Sequence, residues 1–155
     1  MSGYCDSDYA GDIETGKSTS GIVLFHGTNP IYWKSSLQTR VALSTFEAEY
    51  YALTEITKNI IHFSQIADEL KIENKTPIEI NIDNQSAIVV ANTPAEKFNA
   101  KTKHIYTKYH FIKQEIRNNL IELKHIQSTN NLADILTKPL PSPAFTRLSS
   151  QLTGG

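Results

Sequence analysis

At 155 residues the chain is one domain's length, enough to bury a core without disulfides or a structural metal. Its 15 Lys and Arg against 16 Asp and Glu leave a formal charge of −1, which excludes a protein that coats nucleic acid through net positive charge, although clustered carboxylates can mask a basic face in the sum. No apolar run reaches the roughly eighteen residues of a membrane span, no secretory leader is visible, and the single cysteine, Cys5, makes neither an internal disulfide nor a Cys-rich zinc site, so a reducing compartment is expected.

In chain order, Gly3 to Asp8 begins a short strand that ends in the turn-rich stretch 11–16. Thr19 to His26 is β-branched and aromatic, Gly27-Thr28-Asn29-Pro30 is a turn, and Ile31-Tyr32-Trp33-Lys34 starts a third strand, with Trp33 expected in the core. These three predict an antiparallel meander. Ser44 and Glu47 then form a capping box at the start of a long helix. Leu53, Ile56, Ile60, Phe63, Ala67 and Leu70 give that helix one apolar face. Residues 78–83 alternate at period two, as a half-buried strand does, and a short helix follows from Asn84 to Asn92. After Thr93-Pro94, Ile105, Tyr109, Ile112 and Ile116 mark another helix. Leu120 to Ile126 reads as a last strand and Asn130 to Thr137 as a terminal helix stopped before Pro139. The order β-β-β-α-β-α-α-β-α implies a mixed sheet covered by helices. One domain is expected, its core running from about residue 3 to residue 148, with 149–155 a loose tail.

Four carboxylates fall where burial is expected. Asp6 lies in the middle of the first strand, with Asp8 two residues on along the same face. Such neighbours repel unless a cation lies between them, though an exposed edge or a turn onset would also accommodate them. Counting back along the apolar stripe of the long helix leads from Leu53 to Glu49, which places an acid on the core side. Helix-dipole stabilisation, worth only ~0.3–1 kcal/mol, is the alternative reason for it. Glu47 lies off the stripe and has the capping role. Asp83 ends the alternating strand, where it serves equally as a helix N-cap or as a ligand at the carboxyl end of a strand. Asp134 is by itself an ordinary helical acid.

The segments GYCDSDYAGD (3–12), KSTSGIVLF (17–25), VALSTFEAEYYAL (41–53), IDNQSAI (82–88), AKTKHIYTKYHFIKQ (100–114) and NNLADILTKPLP (130–141) resemble the ribonuclease H domain of copia-type LTR retrotransposon polyproteins. The resemblance runs from about Gly3 to Leu148. It implies an α/β ribonuclease H-like fold: a mixed five-stranded sheet, an antiparallel meander of three strands followed by parallel strands, flanked by helices. It also implies Asp6, Glu49, Asp83 and Asp134 as catalytic, metal-binding acids, with Glu47 the rival of Glu49. The implied activity is metal-dependent cleavage of the RNA strand of RNA–DNA hybrids, leaving a 5′-phosphate and a 3′-hydroxyl.

Four convergent acids need cations, and magnesium prefers such oxygen donors. Two ions about 4 Å apart suit an in-line displacement, Asp6 bridging both, Glu49 and Asp83 completing one position and Asp134 helping to hold the other; manganese is an expected substitute. Hybrid recognition is expected from shape and the 2′-hydroxyl. Lys97, Lys101, Lys103, His104, Lys108, Lys113 and Arg117 give one helical region a basic excess, which reads equally as a phosphate-contacting or a merely solvated face, and Asn84 and Gln85 beside Asp83 join the expected nucleic-acid contacts. The resemblance further implies a reverse transcriptase domain of the same polyprotein as partner, and cytoplasmic virus-like particles as the setting. It departs from many ribonucleases H in one place, since the loop Gln127-Ser128-Thr129-Asn130 lacks a histidine. Competing readings are a hybrid-binding module without activity, and another metal-dependent nuclease or strand-transferring enzyme of the same fold.

Overall fold

The computed structural model describes residues 1–93 and 103–153, the side chains of residues 103 and 104 excepted. Five strands form one sheet: β1 (Ser2–Asp8), β2 (Thr19–His26), β3 (Asn29–Leu37), β4 (Ile78–Ile82) and β5 (Ile121–His125). Their order is β3-β2-β1-β4-β5. The β1/β2 and β2/β3 pairs are antiparallel, and β1/β4 and β4/β5 are parallel. This is the mixed sheet that the pattern of turns and alternation predicts. The helices are α1 (Thr45–Glu69), α2 (Gln85–Asn92), α3 (Lys103–Arg117) and α4 (Ser142–Thr153).

Period-two alternation distributes the sheet between two cores. On β2, Ile22 and Leu24 join the larger one, packed with Leu53, Ile56 and Ile60 of α1, Ile80 of β4 and Ile112 of α3. Val23 and Phe25 face the other way, into a smaller core with Leu132 and Leu148. A strand covered on both faces reads as a continuous apolar run, which is why 21–25 has no polar residue. The stripe on α1 is buried at 53, 56, 60 and 67, as its spacing requires. Leu70 is 64% exposed instead, because the helix ends at Glu69 and Lys71 adopts a left-handed φ of 55°.

Three further expectations are corrected. Trp33 is 64% exposed rather than core, since β3 is the edge strand and only alternate positions on it are covered. The terminal helix expected over 130–137 is absent. That stretch holds two single 3-10 turns, Ser128–Asn130 and Asp134–Leu136. The helix lies farther on as α4, with Pro143 in its first turn, where a missing N–H costs nothing. Residues 149–153, expected to be loose, are the second half of α4, anchored by buried Leu148; 154 and 155 lie outside the described residues.

Candidate metal centre

Three elements end at one place. Asp6 lies near the end of β1, Asp83 directly follows β4, and Glu49 sits in the first turns of α1. Because β1 and β4 are parallel neighbours, their carboxyl ends emerge side by side. Oxygens of the three side chains lie within 4.8 Å of one another. Asp6 and Glu49 are 5% and 7% exposed, and Asp83 is half-buried.

Local capping chemistry explains why these acids are left for the cluster. Ser44 Oγ accepts from the Glu47 amide at 3.1 Å. Glu47 Oε2 accepts from the Leu43 amide at 2.8 Å and Oε1 from the Tyr51 hydroxyl at 2.6 Å. Glu47 therefore serves the helix start, while Glu49 points to the cluster. At α2 the N-cap is Asn84, whose side-chain oxygen accepts from the Ala87 amide at 3.0 Å, so Asp83 has no capping duty.

The electrostatics record the crowding. Burial, then repulsion from Asp83, raises the Asp6 pKa to about 6, partly opposed by the Thr137 hydroxyl that donates to Asp6 Oδ2 at 2.9 Å. Burial, followed by Asp6 and Asp83, raises Glu49 to about 8. The adjacent Cys5 thiol is pushed well up by burial and then by the same acids. Glu49 Oε2 is buried with no hydrogen-bond partner. An orphaned buried carboxylate oxygen costs several times an ordinary hydrogen bond, and a hard divalent cation satisfies it. Three carboxylates with an unmet acceptor fit such an ion.

Asp134 is placed differently. It opens the second 3-10 turn, half-buried, close enough to Asp6 for its charge to be felt but outside the 4.8 Å group. Lys138 Nζ lies 2.7 Å from its Oδ1. Tertiary bonds hold this turn rather than helix propensity. Asn131 donates to the Cys5 carbonyl at 2.9 Å and accepts from the Ala133 amide at 3.1 Å. Gly21, paired with Asp6 across the sheet, lets the turn come close: a Cβ there would stand 2.6 Å from the Ala133 carbonyl oxygen and 2.8 Å from the Thr137 methyl.

Of the expected nucleic-acid contacts, Lys101 lies outside the described residues, as do the side chains of Lys103 and His104. Gln85 is exposed on the first turn of α2, and Asn84 is engaged in capping. Lys113, counted in the basic face, is instead buried, its ammonium donating to the Thr93 carbonyl and lying over the Tyr109 ring. Lys108 sits over the Tyr51 ring and lines a groove of about 550 Å³ between β3, α1 and α3. Arg40, Lys58 and Lys34 line the same groove. Burial and the charges of Arg40 and Lys58 lower the Lys108 pKa, the mark of gathered cations. Arg40 and Lys58 escaped the sequence reading because they come from a loop and a different helix. His125, the histidine nearest the histidine-free loop, is exposed at the end of β5, opposite Ile82. Among the described residues no helix is long and apolar enough to cross a membrane.

No protein-family model matches the chain. It is 38% identical, over 154 residues and 99% of its length, to the retrovirus-related Pol polyprotein from transposon TNT 1-94 of Nicotiana tabacum. It is 30% identical over 138 residues, 87% of its length, to the transposon Ty1-NL2 Gag-Pol polyprotein of Saccharomyces cerevisiae. The match spans 11% and 8% of these relatives, so the chain covers about a tenth of their length. Among solved structures, LC11-RNase H1 isolated from compost superposes with a TM-score of 0.61 at 21% identity, covering 96% of both chains.

The chain has the ribonuclease H fold, and its homologues are copia-type Pol polyproteins.

LC11-RNase H1 in complex with an RNA/DNA hybrid gives the same TM-score of 0.61 at 20% identity, over 87% of this chain and 91% of that one. The acid cluster thus stands on a ribonuclease H fold, at the carboxyl ends of that fold's β1 and β4.

Proposed function

We propose that the chain is a metal-dependent ribonuclease H that hydrolyses the RNA strand of RNA–DNA hybrids during reverse transcription of a retrotransposon. One observation carries the reading: Asp6, Glu49 and Asp83 converge within 4.8 Å, with a buried Glu49 oxygen lacking any partner. In this reading the three acids hold divalent ions, magnesium by preference with manganese tolerated, and Asp134 helps to complete a second position. Two such ions, when bound, supply an activated water and a counter-charge for the leaving 3′ oxygen, giving 5′-phosphate and 3′-hydroxyl products.

The protein's own part is placement. Thr137 fixes Asp6 through Oδ2, and the Asn131 bonds hold the turn that carries Asp134 against β1. The groove lined by Arg40, Lys58 and Lys108 offers fixed positive charge to a phosphate backbone without reading bases. Lys101, Lys103, His104 and Gln85 are proposed as further contacts. That a relative of the same fold has been solved with an RNA/DNA hybrid supports this substrate. The Pol polyprotein homologues support a reverse transcriptase domain of the same polyprotein as partner, and virus-like particles in the cytoplasm as the setting.

The test is cleavage of a labelled RNA–DNA hybrid with magnesium or manganese, comparing wild type with Asp6→Asn. Metal-dependent cutting of the RNA strand by wild type alone is expected. A folded, hybrid-binding protein that cuts nothing, or one that cuts duplex DNA equally well, would overturn the reading.

A further inference from the structure

Lys138 has no part in the chemistry described so far. Its ammonium lies 2.7 Å from Asp134 Oδ1 in an i,i+4 pair just beyond the second 3-10 turn. The Lys138 side chain is 44% exposed and that of Asp134 only 18%, so the cation covers the acid from the solvent side. Asp6 and Asp8 also act on Lys138, which in turn stabilises charged Asp6. Lys138 is thus a compact positive charge on a flexible four-carbon stem, tethered at the open side of the cluster. The ion pairs found among the described residues include none to Asp6, Glu49 or Asp83. The cluster is therefore asymmetric, with three acids facing one another and a fourth neutralised by a side chain.

We propose that Lys138 is a built-in competitor for the metal position served by Asp134, its ammonium occupying Oδ1 until a second divalent ion displaces it. The inference rests on the metal-dependent reading above. An ammonium and a divalent ion on the same carboxylate repel each other at close range, so the Lys138 stem swings toward solvent as the second position fills. Among the described residues no ammonium is paired with Asp6, Glu49 or Asp83, and the position they frame fills first. The Asp134 position fills second and more weakly, and its affinity is the more sensitive to salt because the exchange takes place at a half-exposed pair.

The experiment follows Mn²⁺ binding by calorimetry and electron paramagnetic resonance, on the whole chain, without substrate. It compares wild type, Lys138→Met, Lys138→Arg, Asp134→Asn and the Asp134→Asn/Lys138→Met double variant, each shown to be folded by circular dichroism. Wild type is expected to bind two ions of unequal affinity. Lys138→Met tightens the weaker position about tenfold and leaves the stronger one alone, as removal of one charge beside a divalent ion requires. Lys138→Arg behaves as wild type, and Lys138→Met has no further effect once Asp134 is Asn. Two ions bound by wild type with the weaker position unchanged or loosened in Lys138→Met would overturn the competitor role alone. No Mn²⁺ bound by folded wild type would overturn the metal-dependent reading, and this inference with it.

Discussion

The two halves of the acid cluster are built by different means. Asp6, Glu49 and Asp83 project from the ends of two paired strands and a long helix, backed by Ile22, Leu53 and Ile80, each at most 1% exposed. Asp134 hangs from a single 3-10 turn, held by an asparagine, a glycine contact and an ion pair at its rim. The first half is stiff because its supports are the core itself. The second is adjustable because its supports are a few polar bonds near solvent. In the proposed reading, this fixes one metal position and leaves the other responsive to ions and substrate.

The comparison breaks most decisively at Asp6, which belongs to the stiff half and is touched by the other half through Thr137. Asp6→Asn is expected to reduce metal-dependent hybrid cleavage by about 10³-fold or more, ~4 kcal/mol of transition-state stabilisation, measured as kcat/KM. The same substitution should raise the Tm of the metal-free protein at pH 8, because it removes a repelling buried charge. Asp134→Asn is expected to cost less, about 10–100-fold, because it loosens the second metal position and leaves the three-acid position intact. Equal losses at the two positions would show that the halves do not differ.

Stability sharpens the contrast next. Gly21→Ala drives a methyl into the Ala133 carbonyl and the Thr137 side chain, and overpacking of this kind costs ~1–3 kcal/mol. The loss should appear as a lowered midpoint in urea. Amide exchange should accelerate over 131–137 more than in α1, and uniform acceleration would contradict a separately supported turn.

The stiff half also predicts a pH dependence. Asp6 at about 6 and Glu49 at about 8 keep protons in the folded, metal-free protein that an unfolded chain, with values near 3.8 and 4.5, has already released. Raised acid pKa values stabilise the fold at low pH, and that stability is lost as pH rises through the folded values. The Tm without metal should therefore fall from about pH 4 to about pH 8, and added Mg²⁺ should restore most at the alkaline end. A flat profile would mean that the acids are not buried together. The smallest effect belongs to the groove. Arg40→Ala with Lys58→Ala should weaken hybrid binding and reduce the slope of log K against log salt by about 2, leaving metal binding unchanged.

What could be read from residues alone follows the same division. Glu49 was legible as an inward-facing acid because the 3.6 period decides which way a helical side chain points before any tertiary contact exists. Pattern alone left Asp6 open to an edge or turn reading and Asp83 to an N-cap, and the resemblance selected both. The mixed character of the sheet followed from three adjacent strands and the strand–helix alternation after them, while the order β3-β2-β1-β4-β5 came only with the structure. Asp134 rests on the resemblance alone, and the helix expected around it is a 3-10 turn. The turn is shaped by a hydrogen bond to Cys5 and a close approach to Gly21, both more than a hundred residues away in the chain, and these leave no local periodicity. Trp33 was misplaced because an edge position is a property of the assembled sheet. Arg40, Lys58 and Lys108 become one groove only when β3, α1 and α3 pack, and Lys113 shows the converse, a basic residue on the expected face that folds inward.

The Asn131 amide bonded to the Cys5 carbonyl spans 126 positions of chain. Closing a loop of that size costs on the order of 4 kcal/mol of chain entropy, and nothing near Asn131 in the sequence offsets it until the sheet has formed. During synthesis, a nascent chain that has emerged only as far as β5 already carries Asp6, Glu49 and Asp83 but lacks both the Asn131 clasp and Asp134. In the proposed reading, the metal centre is complete only once the chain has been made through Asp134.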